Sequence, residues 1–209
     1  MSWKIDFKKT IGVSSIRNLP ESIRRLRLDV IEAENFRSSS GVKLEDDPEW
    51  KQIRLQVLQR DDYTCSCCGF RYEKYMEVHH LDGIWNDNSL DRLYTLCPIC
   101  HSCFHIGLAG ISGKGSLIIL TDPVGQAKLN ALIWETITKY KNHAPDAVKA
   151  ILETLPIKQN LGNEGLIMLA NRILKEKQEK KKEARKVSER YILFPDIEKY
   201  HLTRLLMSS

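Results

Sequence analysis

Apolar positions recur at helical spacing after Asp47-Pro48, with Trp50, Ile53, Val57 and Leu58 falling on one face. Asp47 can cap free amides and Pro48 suits the first helical position. A helix is therefore predicted to end near Arg60-Asp61-Asp62. Before it the pattern is mixed. Trp3-Lys-Ile5-Asp-Phe7 alternates like a strand, Glu21 to Ile31 after Pro20 suits either a helix or a strand, and Arg37 to Gly41 reads as a loop. Beyond it, Tyr75 to Val78 predicts a strand running into His79-His80, and Asp82 to Ser89 a polar loop. Leu93 to Leu96 predicts a second strand, and a helix comes next from about Pro98. On that helix His101 and His105 share a face.

Ile106 to Gly115 is glycine-rich and is expected to be a turn or loop. Ser116 to Leu120 reads as a buried strand, with Thr121-Asp122-Pro123 ending it and capping the next element. Gln126 to Lys141 is amphipathic, its apolar face made by Leu129, Leu132, Ile133, Ile137 and Tyr140. Pro145 opens a shorter helix carrying Val148, Ile151, Leu152 and Leu155. Asn163 opens a long one carrying Ile167, Leu169, Ala170, Ile173 and Leu174. From Lys175 to Lys186 that helix turns polar, with seven basic and three acidic residues. The interleaved Glu176, Glu179 and Glu183 favour a solvated extension over a phosphate-tracking arm. Apolar character returns at Tyr191 to Pro195 and Tyr200 to Leu206, a tail that must dock on the domain or on a partner.

The pattern is that of an α+β chain in three segments. Residues 1–48 are mixed, 49–120 hold the strands and most of the candidate chemistry, and 121–209 are largely helical. A content of 42% apolar and 28% charged residues is that of an ordinary globular protein, and a net charge of +5 does not demand a nucleic-acid partner. No apolar run approaches the roughly 20 residues that span a bilayer. The opening Met1 to Lys9 has no apolar core segment, so no secretory leader and a cytoplasmic location are expected.

That expectation bears on the cysteines, which should then stay reduced and bind metal instead of pairing as disulfides. All six, with four of the six histidines, fall between Cys65 and His105. Cys65 with Cys68, and Cys97 with Cys100, are C-x-x-C pairs whose four sulfurs suit one closed tetrahedral Zn2+ site of a structural kind. Cys67 and Cys103 are then spare, although Cys100 with Cys103 has the same spacing and offers a second register.

Arg60 to Cys65, Glu77-Val78-His79-His80 and Leu96-Cys97-Pro-Ile-Cys100-His101 together resemble the HNH domain, the ββα-metal fold of many nucleases. The resemblance implies a zinc-stapled ββα core. In an active member His80 would be the general base, while His79 and His101 would hold a divalent cation. The asparagine of the family pattern is replaced here by Arg92, whose positive charge would repel a cation and disfavour protonated His80. Asn86 and Asn88 lie upstream and would substitute only if their loop folded in, which is not expected. The competing reading keeps His79 and His80 as fold residues and expects no catalysis. A third makes the chain a zinc-containing DNA-binding module that does not cleave, with a steep salt dependence of DNA affinity.

A longer stretch, Cys97 to Gly110 followed by Leu117 to Leu120, Pro123 and Ala127 to Leu132, is similar to the IcmJ/DotN component of type IVB (Dot/Icm) secretion systems. The resemblance implies a non-enzymatic zinc adaptor in a coupling complex. It would bind the C-terminal extension of the coupling ATPase and associated adaptor proteins, help deliver effectors, and sit peripheral to the bacterial inner membrane without inserting. It leaves open a second metal at His79, His101 and His105.

Overall fold

The computed structural model describes residues 19–30, 47–83, 87–179 and 190–200. The expected strand at Trp3, the loop at Arg37, Asn86, and the tail beyond Tyr200 lie outside these residues, as does the charged helix beyond Glu179. Chain order is α1 (Glu21–Arg24), α2 (Pro48–Arg60), β1 (Glu77–His80), β2 (Leu93–Leu96), α3 (Pro98–Phe104), α4 (Ile106–Ile111) and β3 (Gly115–Leu120). It continues with α5 (Gln126–Tyr140), α6 (Ala144–Thr154), β4 (Ile157–Asn160), α7 (Gly162–Gln178) and β5 (Tyr191–Pro195). Among the described residues the fold is α+β, with one antiparallel hairpin, β1-β2, and one antiparallel sheet of order β4-β3-β5 set among the C-terminal helices.

Helix α2 begins as its sequence dictates. The Asp47 carboxylate accepts from the amides of Glu49 and Trp50 at 3.0 and 3.2 Å, with Pro48 at the first position. Asp47→Ala is expected to cost about 1 kcal/mol, measured by chemical denaturation; no loss of stability would show the cap to be dispensable. The helix buries Trp50, Val57 and Leu58 and pins the hairpin with two arginines. Arg54 donates to the Met76 carbonyl at 2.6 Å, and Arg60 donates to the carbonyls of Leu90 and Leu93. Asp61 closes the clamp by accepting from the Thr95 amide at 3.1 Å. Asp62 and Tyr63 then take left-handed backbone angles, φ 47° and 51°, turning the chain sharply into Cys65.

The hairpin pairs Glu77 with Leu96, His79 with Tyr94 and His80 with Leu93. Strand alternation sends the two histidines to opposite faces. Val78 packs beside Trp50, Val57 and Leu93 on the α2 side, where His80 also stacks on Trp50 with ring centroids 5.0 Å apart. His79 faces the other way, over Phe104 of α3 at 4.4 Å.

The glycine-rich stretch after His105 opens as a helix, Ile106–Ile111, in place of the expected loop, with the turn confined to residues 112–113, and Gly107 and Gly110 serve packing. A side-chain carbon at Gly107 would meet Ala170 Cβ at 3.2 Å. One at Gly110 would lie 2.8 Å from Ile167 Cγ1 and 2.9 Å from the Asn163 carbonyl. These positions let α4 lie directly against α7, and the low helix propensity of glycine is outweighed by that contact. The cap expected from Thr121-Asp122-Pro123 is not made: Gly125 precedes α5, without a side-chain cap.

Two elements complete the sheet. The Tyr191–Pro195 segment docks back on the domain as β5, paired along β3 from Gly115↔Pro195 to Ile119↔Tyr191. Strand β4 has no counterpart in the sequence pattern. Ile157-Lys-Gln-Asn has one apolar residue and is exposed throughout, so pairing with β3 alone makes it a strand. At the other end of the chain, residues 26–30 bury Leu26, Leu28 and Val30 and exchange backbone bonds at the α3–α4 junction. There the Asp29 amide donates to the Cys103 carbonyl and the Ile106 amide to the Asp29 carbonyl. Lys177 near the end of α7 holds this strap through Asp29 at 2.9 Å and the Val30 carbonyl at 2.7 Å.

Candidate metal centres

Cys65, Cys68, Cys97 and Cys100 come together with their sulfurs all within 4.8 Å of one another, and all four are buried. Cys68 and Cys97, one from each turn, have their sulfurs 3.7 Å apart. A tetrahedron with metal–sulfur bonds of about 2.3 Å has edges of about 3.8 Å, so the quartet is already shaped to hold a metal ion. Cys65 and Cys68 belong to a tight loop in which the Cys65 amide donates to Phe70 and the Gly69 amide to Cys65, with Gly69 at φ 76°. Cys97 caps α3, its sulfur accepting from the Cys100 amide at 3.4 Å. The alternative register is not adopted: Cys103 lies outside the quartet, bonded to the Ile99 carbonyl at 3.4 Å, and Cys67 also stays outside.

Helix α5 supplies donors that the sequence pattern did not reveal. Trp134 Nε1 donates to Cys97 Sγ at 3.0 Å, and Asn130 Nδ2 donates to Cys100 Sγ at 3.2 Å. Gln126, Asn130 and Trp134 are spaced four apart and so form one stripe. Two buried amides on an otherwise apolar helix face were the available signal.

Four crowded sulfurs cannot all ionise alone. Burial, and hydrogen bonds that need its proton, push the Cys100 thiol well above its ordinary range. Cys68 also ends well above, the help of Cys100 being outweighed by Cys65, Cys97 and burial. Against its own burial, Cys65 is held well below by hydrogen bonds from Cys100, Cys67, Cys68 and Cys97. Metal uptake is therefore expected to release at least the protons of Cys68 and Cys100 and to weaken as pH falls. Calorimetry in buffers of different ionisation enthalpy checks this, and a buffer-independent heat would contradict it.

A second cluster is carried by β1 and α3. His79, His101 and His105 present ligand nitrogens within 4.8 Å of one another, with His101 Nε2 and His105 Nε2 3.1 Å apart. Burial and the neighbouring histidines push His79 well below the ordinary imidazole range. Burial, with His101, pushes His105 down to about 3, so both rings are neutral near pH 7. Glu77 bonds His101 Nδ1, which directs His101 Nε2 into the cluster. Burial opposes ionisation of Glu77, but His101 holds its carboxyl below the ordinary range. Whereas the sulfur centre is closed, His101 and Glu77 are partly exposed, so this cluster opens towards solvent.

Two sequence expectations about the neighbouring residues are corrected. Asn88 does fold in: its Oδ1 lies 3.1 Å from His80 Nε2. Arg92 is committed to Asp87 at 3.0 Å, so its charge is compensated by a carboxylate instead of being turned on the histidines.

Fold and site thus define an α+β protein in which the loop before β1 and the start of α3 bring four sulfurs into a closed centre, while β1 and α3 carry an open three-histidine cluster. No family model matches the chain. Over 87 residues it is 37% identical to the Type 4 apparatus protein DotN of Legionella pneumophila, covering 41% of this chain and 41% of that protein. Over 55 residues it is 34% identical to the Zorya protein ZorE of Escherichia coli, covering 25% of this chain and 15% of that protein. The chain spans less than half the length of these curated relatives, and over the first stretch it is a homologue of a type 4 apparatus protein.

Proposed function

We propose that this chain is a zinc-stapled, non-enzymatic subunit of a Dot/Icm type IVB secretion apparatus. In this reading it binds the C-terminal extension of the coupling ATPase, with its associated adaptors, and helps deliver effector proteins. It works in the cytoplasm against the inner membrane; among the described residues no helix is long and apolar enough to cross one. The similarity to DotN carries this reading. The closed sulfur centre supports it, because four buried thiolates leave no position for a substrate. Cys65, Cys68, Cys97 and Cys100 would hold the zinc, which supplies folding free energy. These side chains fix the hairpin's entry loop to the first turn of α3. Surface for a partner helix is present on adjoining helices, where Leu108 and Ile111 of α4 and Met168 of α7 are exposed. The test is co-purification of the full chain with the ATPase's C-terminal extension. A stable complex on gel filtration is expected, weakened by Ile111→Glu. Failure of the purified partners to associate would overturn the reading.

The three-histidine cluster favours one rival, a metal-dependent phosphodiesterase. A divalent cation at His79, His101 and His105 would supply positive charge for a phosphate. With Asn88 Oδ1 accepting from Nε2, His80 keeps its basic electron pair on Nδ1, as a general base requires. Incubation with plasmid DNA and magnesium, manganese or nickel decides the matter. No cleavage is expected; cleavage lost on His80→Ala would establish the rival.

A further inference from the structure

Gln126 sits against the outer edge of β5 and acts as a missing strand. Its Oε1 accepts from the Leu193 amide at 2.8 Å, and its Nε2 donates to the Leu193 carbonyl at 2.9 Å. Leu193 is paired with Leu117 of β3, so Gln126 satisfies the two backbone groups that point away from the sheet. This fixes the amide's orientation, because Leu193 offers one donor and one acceptor and only one orientation matches both. The remaining Nε2 hydrogen goes to Asn130 Oδ1 at 2.8 Å. Asn130, with no exposed surface, is thereby oriented in turn, and its Nδ2 must face the sulfurs of Cys100 at 3.2 Å and Cys103 at 3.9 Å. Polarity thus runs in one direction, from the backbone of β5 through two buried amides to a sulfur that has to accept.

We propose that Gln126 and Asn130 are positioning residues that couple the seating of β5 to metal binding at the four-sulfur centre. The proposal rests on the reading that Cys65, Cys68, Cys97 and Cys100 bind zinc. An N–H···S bond is stronger to an anionic, metal-bound sulfur than to a neutral thiol. Zinc therefore tightens the bond to Asn130, which holds Gln126, which holds Leu193. Linkage makes the effect reciprocal: a seated β5 must raise zinc affinity by the factor by which zinc favours the seated strand. The C-terminal strand and the metal centre, 93 positions apart between Cys100 and Leu193, then report on each other.

The experiment uses the full chain and zinc or cobalt alone. Zinc affinity is read by chelator competition for the wild type, Asn130→Leu and Gln126→Met. Loss of outer partners of this kind weakens metal binding about 10- to 100-fold. That range is expected for Asn130→Leu, and a loss of about 3-fold or more for Gln126→Met, a residue that touches no sulfur. The sulfur-to-cobalt charge-transfer band should move to lower energy in both, a change that general loosening of the fold would not produce. In zinc-saturated Asn130→Leu the Leu193 amide should exchange about 10-fold faster, while amides of α6 keep their rate. Wild-type affinity in Gln126→Met, with an unmoved cobalt band, would overturn the coupling while leaving the zinc centre intact. A wild-type chain that binds no zinc would instead overturn the underlying reading. Should a variant fail to fold, partial zinc loading of the wild type decides. Leu193 protection that rises with occupancy supports the coupling, and protection indifferent to occupancy refutes it.

Discussion

Cys97→Ser is expected to abolish high-affinity metal binding and with it the cooperative unfolding transition. No other side chain in the quartet has as many duties. Its sulfur is one of four at the centre, it caps α3 through the Cys100 amide, and it accepts from Trp134 Nε1. A serine oxygen sits on a shorter bond and is a poor thiolate substitute, so the metal and Trp134 each lose a partner, while serine still caps the first turn of α3. Structural zinc sites contribute on the order of 10 kcal/mol to folding, comparable to the whole stability of a domain. The loss should therefore appear as a protein without a sharp thermal transition, measured by circular dichroism and metal analysis. Cys67→Ser removes a buried sulfur outside the quartet and is expected to keep the metal stoichiometry. If Cys97→Ser kept a wild-type transition and a bound metal, the centre would not be what holds the fold.

Gly110→Val is expected to destabilise the chain by about 3 kcal/mol through overpacking, read as a lowered denaturation midpoint. The first added carbon alone would lie 2.8 Å from Ile167 Cγ1 and 2.9 Å from the Asn163 carbonyl. Neither contact yields cheaply, because Ile167 Cγ1 is not the far end of its side chain and the carbonyl belongs to the backbone of α7, so the two helices must separate. The better helix propensity of valine recovers less than about 1 kcal/mol of this. An unchanged midpoint would mean that α4 and α7 do not pack as described. Gly113 is the useful contrast. It takes φ 61° with open space around it, so its substitution strains the backbone without wedging helices apart.

These two positions mark what could be read from the chain and what could not. Where apolar side chains mark the buried face of an element, local spacing was enough. Asp47-Pro48 and the stripe of Trp50, Val57 and Leu58 define α2, and Leu117 to Leu120 define β3. The paired C-x-x-C spacing pointed to the four cysteines that the fold brings together, because a knuckle is a local structure. Long-range reasons were invisible. Gly107 and Gly110 look like loop residues until α7 is laid against them, and Ile157 to Asn160 becomes a strand only because β3 offers an edge. Arg92 looked like a charge set beside the histidines, yet Asp87 takes it up. Asn130 and Trp134 read as part of a helix face, and their role towards sulfur depends on where α3 docks.

X-ray absorption at the zinc edge, on freshly purified reduced protein carrying His101→Ala so that the histidine cluster is disabled, tests the centre most directly. One zinc per chain, surrounded only by sulfur at about 2.3 Å, is the predicted result. Zinc in a shell of nitrogen or oxygen, or no zinc and cysteines oxidised in pairs, would contradict it.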